Sequence, residues 1–228
     1  MESDPLAIDA SGVCRRYGRR WALAEVSLRV PRGTVVMVTG RNGSGKSTLL
    51  RVLATAIRAD IGSARVFGFD CRQQREEVRR HVALLAHQSH LYEALTPLDN
   101  LAITTRFLPH PPPPGRLEAL LEDVGLADRA ADPVATFSAG MRKRLSLARV
   151  LLQDAPLLLL DEPHAQLDPP GFRLVDDLIA RLRAAGRTVL MATHLLERGA
   201  AVCDQAIVLE QGRLAWSGPA AAVPQGAA

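Results

Sequence analysis

Residues 34–50 read TVVMVTGRNGSGKSTLL, and no other stretch limits the fold as tightly. Thr34 to Thr39 is a continuous apolar and β-branched run of the kind that forms a strand buried on both faces, as in parallel sheets. It runs straight into Gly40-Arg41-Asn42-Gly43-Ser44-Gly45-Lys46-Ser47, and a helical pattern extends from Lys46 to Ala56. Strand, glycine-rich loop and helix in this order cradle phosphate. Glycines at 40, 43 and 45 let successive amides turn inward, and the helix N-terminus adds partial positive charge. Lys46 would reach the β and γ phosphates and Ser47 would supply an oxygen to Mg²⁺. Arg41, Asn42, Ser44 and Thr48 complete the predicted nucleotide-binding stretch. Only Lys46 and Lys143 are lysines among the 28 basic residues. A compact ammonium suits a crowded cradle where a planar guanidinium would not fit.

Other short apolar stretches predict strands at Leu6–Val13, Trp21–Val30, Ile61–Phe69, His81–Ala86, Pro156–Leu160 and Arg187–Thr193. Helices are predicted at Pro97–Phe107, Arg116–Val124 and Pro169–Ala184. For the last of these, Asp168-Pro169 supplies a cap followed by a first-turn proline, and Gly186 closes the C-terminus. Strands alternating with helices argue for a parallel α/β core, with the early strands and the middle helices as attached lobes. Pro111 to Pro114 cannot continue a helix and read as a stiff connector. The tail from Pro219 onward is small and apolar and carries no predicted element.

Leu157-Leu158-Leu159-Leu160-Asp161-Glu162 sets two carboxylates at the end of a buried strand, where open α/β sheets bind ligands. Asp161 would hold the Mg²⁺ shell and Glu162 would polarise an attacking water. His194 comes after another apolar strand, and Gln88 after the strand at 81–86; both are candidates for the water and Mg²⁺ network, beside ordinary structural roles. Tyr17 is a candidate platform for a base or a half-buried sheet residue. A second loop, Ser138-Ala139-Gly140, begins a basic helix 98 residues after Gly40. Ser138 is a good cap, Gly140 leaves amides exposed, and the helix points its positive end at an anion. Arg142, Lys143 and Arg144 would add positive potential near the site or face solvent, and solvent is expected for most of them.

Tyr17, the loop 40–47, Gln88, FSAGM, LLLLDEP, QLD at 166–168 and His194, in this order, resemble the nucleotide-binding domain of ATP-binding cassette (ABC) ATPases. Ala139 and Met141 depart from the family's usual glycine and glutamine. The resemblance implies one ABC ATPase domain over 1–228: a P-loop NTPase, RecA-like, with a parallel-sheet core, an antiparallel β lobe and an α-helical lobe at about 90–150. It implies ATP and Mg²⁺ as cofactors, Glu162, His194 and Gln88 in catalysis, and Ser47, Gln88 and Asp161 around the metal. Two such domains are implied to dimerise head to tail, as a homodimer or with a related ATPase. Ser138, Ala139 and Gly140 of one copy would then close on the ATP held by the other, and Asp168 is a further implied nucleotide-binding residue.

No apolar run approaches the roughly 18 residues that cross a bilayer, and Met1-Glu2-Ser3-Asp4-Pro5 lacks the basic-then-apolar pattern of a leader. A transport role would therefore use separate membrane subunits, with this chain peripheral on the cytoplasmic face of the inner membrane. Residues 84–101, LLAHQSHLYEALTPLDNL, look most like the ATPase subunit of the haem exporter of cytochrome c maturation; drug, lipid and polysaccharide exporters have similar segments and are the alternative. Soluble cassettes of DNA repair insert a long coiled coil, whereas only 49 residues separate Gln88 from Ser138. Translation types usually fuse two cassettes, and a phosphate-loop kinase has no use for the second loop. The charge of +4 lies in scattered arginine clusters and aromatics are 4%, so solvated faces are favoured over nucleic acid. Cys14, Cys71 and Cys203, far apart and odd in number, read as free thiols.

Overall fold

The computed structural model describes residues 6–224 and Gly226. The N-terminal stretch read for a leader lies outside the described residues, as do Gln225, Ala227 and Ala228 of the tail.

Among the described residues the central sheet has six strands: β3 (Val35–Thr39), β6 (Val82–Leu85), β7 (Leu157–Asp161), β8 (Thr188–Ala192), β9 (Gln205–Glu210) and β10 (Arg213–Pro219). Their order is β10-β9-β3-β8-β7-β6, parallel throughout except for β10. A separate antiparallel sheet holds β1 (Leu6–Tyr17), β2 (Arg20–Pro31), β4 (Ile61–Val66) and β5 (Phe69–Asp70), in the order β2-β1-β4-β5. Helices α1 (Lys46–Leu53), α2 (Arg75–His81), α3 (Pro97–Thr105), α4 (Arg116–Asp123), α5 (Ala139–Leu152), α6 (Pro169–Ala184) and α7 (Leu196–Val202) complete the fold. The P-loop α/β core with an antiparallel β lobe and a helical lobe is the architecture the sequence predicts.

Every residue of β3, β7 and β8 is buried, because the sheet is covered on both faces. Val35 and Met37 pack with Leu101, Leu121 and Leu145 of α3 to α5 and with Val175 of α6. Val36 and Val38 point to the other face, into a cluster with Ile8, Leu23, Leu49 and Leu50 of the β lobe and α1. Burying each such side chain stabilises the fold by roughly 1.5–3 kcal/mol, so these short strands are anchored from both sides.

The structure corrects several expectations. His81 ends α2 rather than opening β6, and α2 itself is absent from the sequence-based elements. Six of its seven residues are charged or histidine and only Val78 is buried, so it shows no apolar period. The predicted strand at 61–69 breaks at Phe67, whose φ of 49° makes the turn between β4 and β5. Helix α7 and strands β9 and β10 are likewise additions that the structure makes. The tail begins with a 3-10 turn at Ala220–Ala222, docked by the Ala220 N–H on Asp204 O at 3.0 Å with Ala220 buried.

Candidate active site

Strands β3, β8 and β7 lie side by side, and the residues just beyond their C-terminal ends converge at the carboxyl edge of the sheet. From β3 comes the loop at Gly40, from β7 Asp161 and Glu162, and from β8 Thr193 and His194.

The loop is shaped as much by its neighbours as by any ligand. Gly40 has φ +135°, and a Cβ there would meet Leu209 O of β9 at 2.1 Å; one at Gly45, φ +111°, would meet Ala22 O of β2 at 2.4 Å. The turn after β9 braces the same loop, since Gly212 N–H donates to Ser44 O at 3.0 Å while Gly212 O accepts from Ala24 N–H at 2.7 Å. Lys46 folds back across the loop and donates to Gly40 O at 2.5 Å and Arg41 O at 3.3 Å. Burial lowers its pKa, and the nearby carboxylates of Glu162 and Asp161 oppose that shift. Ser44 Oγ is buried with no hydrogen-bond partner among the described residues. A buried hydroxyl of this kind, inside a ring of turned amides, fits a phosphate oxygen.

Ser47 Oγ donates to Asp161 Oδ1 at 2.9 Å, bringing two hard oxygen donors together beside the cradle. A cavity of about 510 Å³ opens here, walled by Tyr17, Asn42, Gly43, Lys46, Thr48 and Glu162 among others. That volume suits a small-molecule ligand. Tyr17 is 46% exposed at its mouth, with the Arg15 guanidinium 5.0 Å from the ring centre.

Glu162 adopts φ 48°, unusual for a side-chain-bearing residue, and is held there by its N–H on Ala192 O at 2.9 Å. The turn swings its carboxylate off the strand line to meet His194, whose Nδ1 lies 2.9 Å from Glu162 Oε2. A carboxylate can only accept, so Nδ1 carries the hydrogen of that bond.

Gln88 is exposed and does not line this cavity; its neighbour His87 does. His87 also lines an adjoining cavity with Gly40, Glu162 and His194, although the sequence pattern points to the glutamine beside it. Arg20 is a second wall residue without a sequence signal of its own.

The second loop is built as expected but stands elsewhere. Ser138 caps α5, accepting from Met141 N–H at 3.2 Å, and Ala139 and Gly140 form the first turn. None of the three lines the phosphate-loop cavity. Asp168 caps α6 by accepting from Gly171 N–H at 2.9 Å and pairs with Arg144 at 3.0 Å; the Gly171 N–H, then Arg144, hold its carboxyl below the usual range.

The basic run 142–144 is not left in solvent, contrary to expectation. Lys143 is 6% exposed and its Nζ donates to Asp161 O at 3.3 Å. Burial pushes its pKa down to about 8 against the pull of Asp161 and Glu162. Arg142 donates to Phe137 O at 2.6 Å. The run ties the second loop's helix to the strand that ends in the carboxylates, a role that charge alone does not disclose.

A strand-borne phosphate loop, a Ser47–Asp161 pair and a Glu162–His194 pair on one sheet edge are the arrangement of a phosphate-loop nucleoside triphosphatase. The sequence model of the ABC transporter family matches residues 23–165, and the chain belongs to that family as an ABC ATPase. It is 36% identical over 221 residues to the daunorubicin/doxorubicin resistance ATP-binding protein DrrA of Streptomyces peucetius, covering 96% of this chain and 67% of that one. It is 33% identical over 211 residues to the Nod factor export ATP-binding protein I of Rhizobium johnstonii, covering 92% of this chain and 68% of the relative. The chain thus spans about two thirds of the length of these relatives. Among solved structures, an ATP-binding subunit of an ABC transporter superposes with a TM-score of 0.85 at 26% identity, covering 93% of this chain and 90% of the other. A cassette solved as a dimer superposes at 0.84 and 25% identity, covering 93% and 98%. These relatives favour the drug-type alternative over haem export, which finds no support among them; the likeness over residues 84–101 is too short to decide between the two.

Proposed function

We propose that the chain is the ATP-hydrolysing subunit of an exporter of the drug type, working through separate membrane subunits on the cytoplasmic face of the membrane. The observation that carries the catalytic part is the convergence of Lys46, Ser47, Asp161, Glu162 and His194 on one end of three adjacent strands. ATP would lie with its phosphates in the loop 40–48 and its base against Tyr17. Ser47 and Asp161 would hold Mg²⁺, joined by Gln88 if the segment after β6 turns inward; the ion, when bound, offsets charge on the β and γ phosphates. Glu162 would take the proton of the attacking water while His194 fixes its carboxylate.

Ser138, Ala139 and Gly140 lie outside the cavity of their own chain, so they are free to complete the site of a second copy or of a related ATPase. Two or three charge-assisted hydrogen bonds from that loop to the γ-phosphate, at roughly 1.5–3 kcal/mol each, approach the roughly 5.5 kcal/mol that turns a mostly open population into a mostly closed one. Cleaving the phosphate removes those contacts, so binding closes the pair and hydrolysis opens it. The drug-resistance and Nod-factor-export relatives support the exporter reading.

The test compares Glu162→Gln with Lys46→Ala. Glu162→Gln is expected to bind ATP, lose turnover and accumulate as a dimer on gel filtration, whereas Lys46→Ala loses ATP binding itself. Near-normal hydrolysis by the Glu162 variant would sink the assignment. Sedimentation with membranes only when neighbouring membrane proteins are co-expressed tests the transporter part.

A further inference from the structure

A polar trio that the ATPase chemistry leaves unused sits behind the site, a buried histidine joined to two partly exposed charged residues. His164 is 2% exposed, and its Nε2 lies 2.8 Å from Asp176 Oδ1 on α6. The other carboxylate oxygen of Asp176 accepts from Arg198 on α7, and the Arg198 guanidinium lies 4.9 Å from the centre of the Phe172 ring. Because a carboxylate only accepts, Nε2 of His164 carries the shared hydrogen. His164 Nδ1 is then a buried acceptor with no hydrogen-bond partner among the described residues. Burial, opposed by Asp176, lowers the pKa of the ring. A leucine at 164 would fill comparable space without an orphaned nitrogen, so packing alone gives no reason for histidine here.

The connectivity gives one. His164 stands two residues after Glu162, in a turn closed by Ala165 N–H on Glu162 O at 3.1 Å. Arg198 stands four residues after His194, on the helix that this histidine leads into. That helix is seated without slack, because a Cβ at Gly199 would meet Met37 Sδ of β3 at 2.1 Å. The path Glu162, His164, Asp176, Arg198, His194 and back to Glu162 is therefore closed by three side-chain contacts and two short stretches of chain, with the 2.9 Å Glu162–His194 bond as its last link. Asp176, Arg198 and His194 also share the wall of one cavity of about 1040 Å³.

We infer that His164, Asp176 and Arg198 are positioning residues that hold the Glu162–His194 pair in register, so that the carboxylate faces the phosphate loop. The inference rests on the proposed ATPase chemistry. His164 touches no reacting atom; it fixes one end of the turn that sets Glu162 in its left-handed conformation, while Arg198 fixes the helix that carries His194. Both ends are anchored on one carboxylate, so a shift of either element is passed to the other.

The test measures steady-state ATP hydrolysis, melting temperature and a double-mutant cycle. His164→Leu, which keeps the volume and removes the donor, is expected to lower kcat about 10- to 100-fold, the loss that a misplacement on the order of 1 Å brings, with KM for ATP unchanged. His164→Gln can reach Asp176 with its amide nitrogen and is expected to restore most of the rate. In a His194→Ala background the last link is already gone, so His164→Leu should cost little more; a purely structural tether would give additive losses. Arg198→Lys, which keeps the charge but not the planar fork, is the second variant should His164→Leu fold poorly, and the same kcat loss at unchanged KM is expected. Wild-type kcat in folded His164→Leu, no rescue by glutamine, or additivity with His194→Ala would overturn the inference. Glu162→Gln runs in the same assay: if it still hydrolyses ATP, the catalytic assignment fails, whereas its inactivity beside a fully active His164→Leu removes only the closed path.

Discussion

His194 Nδ1 and Glu162 Oε2 are 2.9 Å apart, joining residues at the ends of two neighbouring parallel strands. Adjacent strands fix the spacing of the two main chains, and the left-handed turn at Glu162 brings the side chains together. The backbone thus holds the pair in register. His194→Ala is therefore expected to reduce kcat by about 10²-fold, the loss that a misplaced catalytic carboxylate brings, with ATP affinity little changed. Single-turnover hydrolysis alongside equilibrium ATP binding separates the two quantities, and a loss confined to binding would contradict the pairing.

Tyr17 presents a half-open ring at the mouth of the phosphate-loop cavity. Base–aromatic stacking is worth about 1–3 kcal/mol, so Tyr17→Ala should weaken ATP by up to about two powers of ten. GTP should be affected less, and Tyr17→Trp should retain most of the ATP affinity. Titration with a fluorescent ATP analogue checks this, and unaltered ATP affinity in the alanine variant returns Tyr17 to a sheet-packing role.

Gly40→Ala is expected to unfold the site rather than merely blunt it. The new methyl would sit 2.1 Å from Leu209 O at a backbone angle that side chains avoid, so β3 and β9 must part. A loss of about 3 kcal/mol or more in urea unfolding is expected, with ATP binding lost alongside. A variant as stable as the wild type would show that the loop moves freely past β9.

Burial pushes the thiols of Cys71 and Cys203 up to about 12, so at pH 8 only about one molecule in ten thousand holds either as thiolate. Iodoacetamide at pH 8 should leave both unlabelled in the native protein and modify them promptly in denaturant, as read by mass spectrometry of tryptic peptides. Fast labelling of either in the native state would mean that its packing opens readily.

Where local chemistry and tertiary structure agree, the sequence is legible. Helix α6 begins and ends where Asp168, Pro169 and Gly186 say, because the cap is a bond between near neighbours, Asp168 to Gly171. Strands β3 and β7 read as continuous apolar runs because both faces are covered. The run Ala206-Ile207-Val208-Leu209, bounded by Gln211-Gly212, carries a usable strand and turn signal for β9. Other features have no local signature. Lys143 looks like its arginine neighbours until α5 is laid against β7, and His164 looks like a loop histidine until α6 and α7 bring Asp176 and Arg198 to it. The likeness of residues 84–101 to a haem exporter misleads because so short a segment carries less weight than relatives that match along almost the whole chain.

The brace between Gly212 and Ser44 has a consequence for how the protein is made. The outer wall of the phosphate loop is a turn that leaves the ribosome about 170 residues after the loop itself. A growing chain still lacking that turn has the glycines, Lys46 and the β2 wall at Ala22, but not the bond from Gly212 to Ser44. The cradle is braced on its outer side only once that later turn has been made.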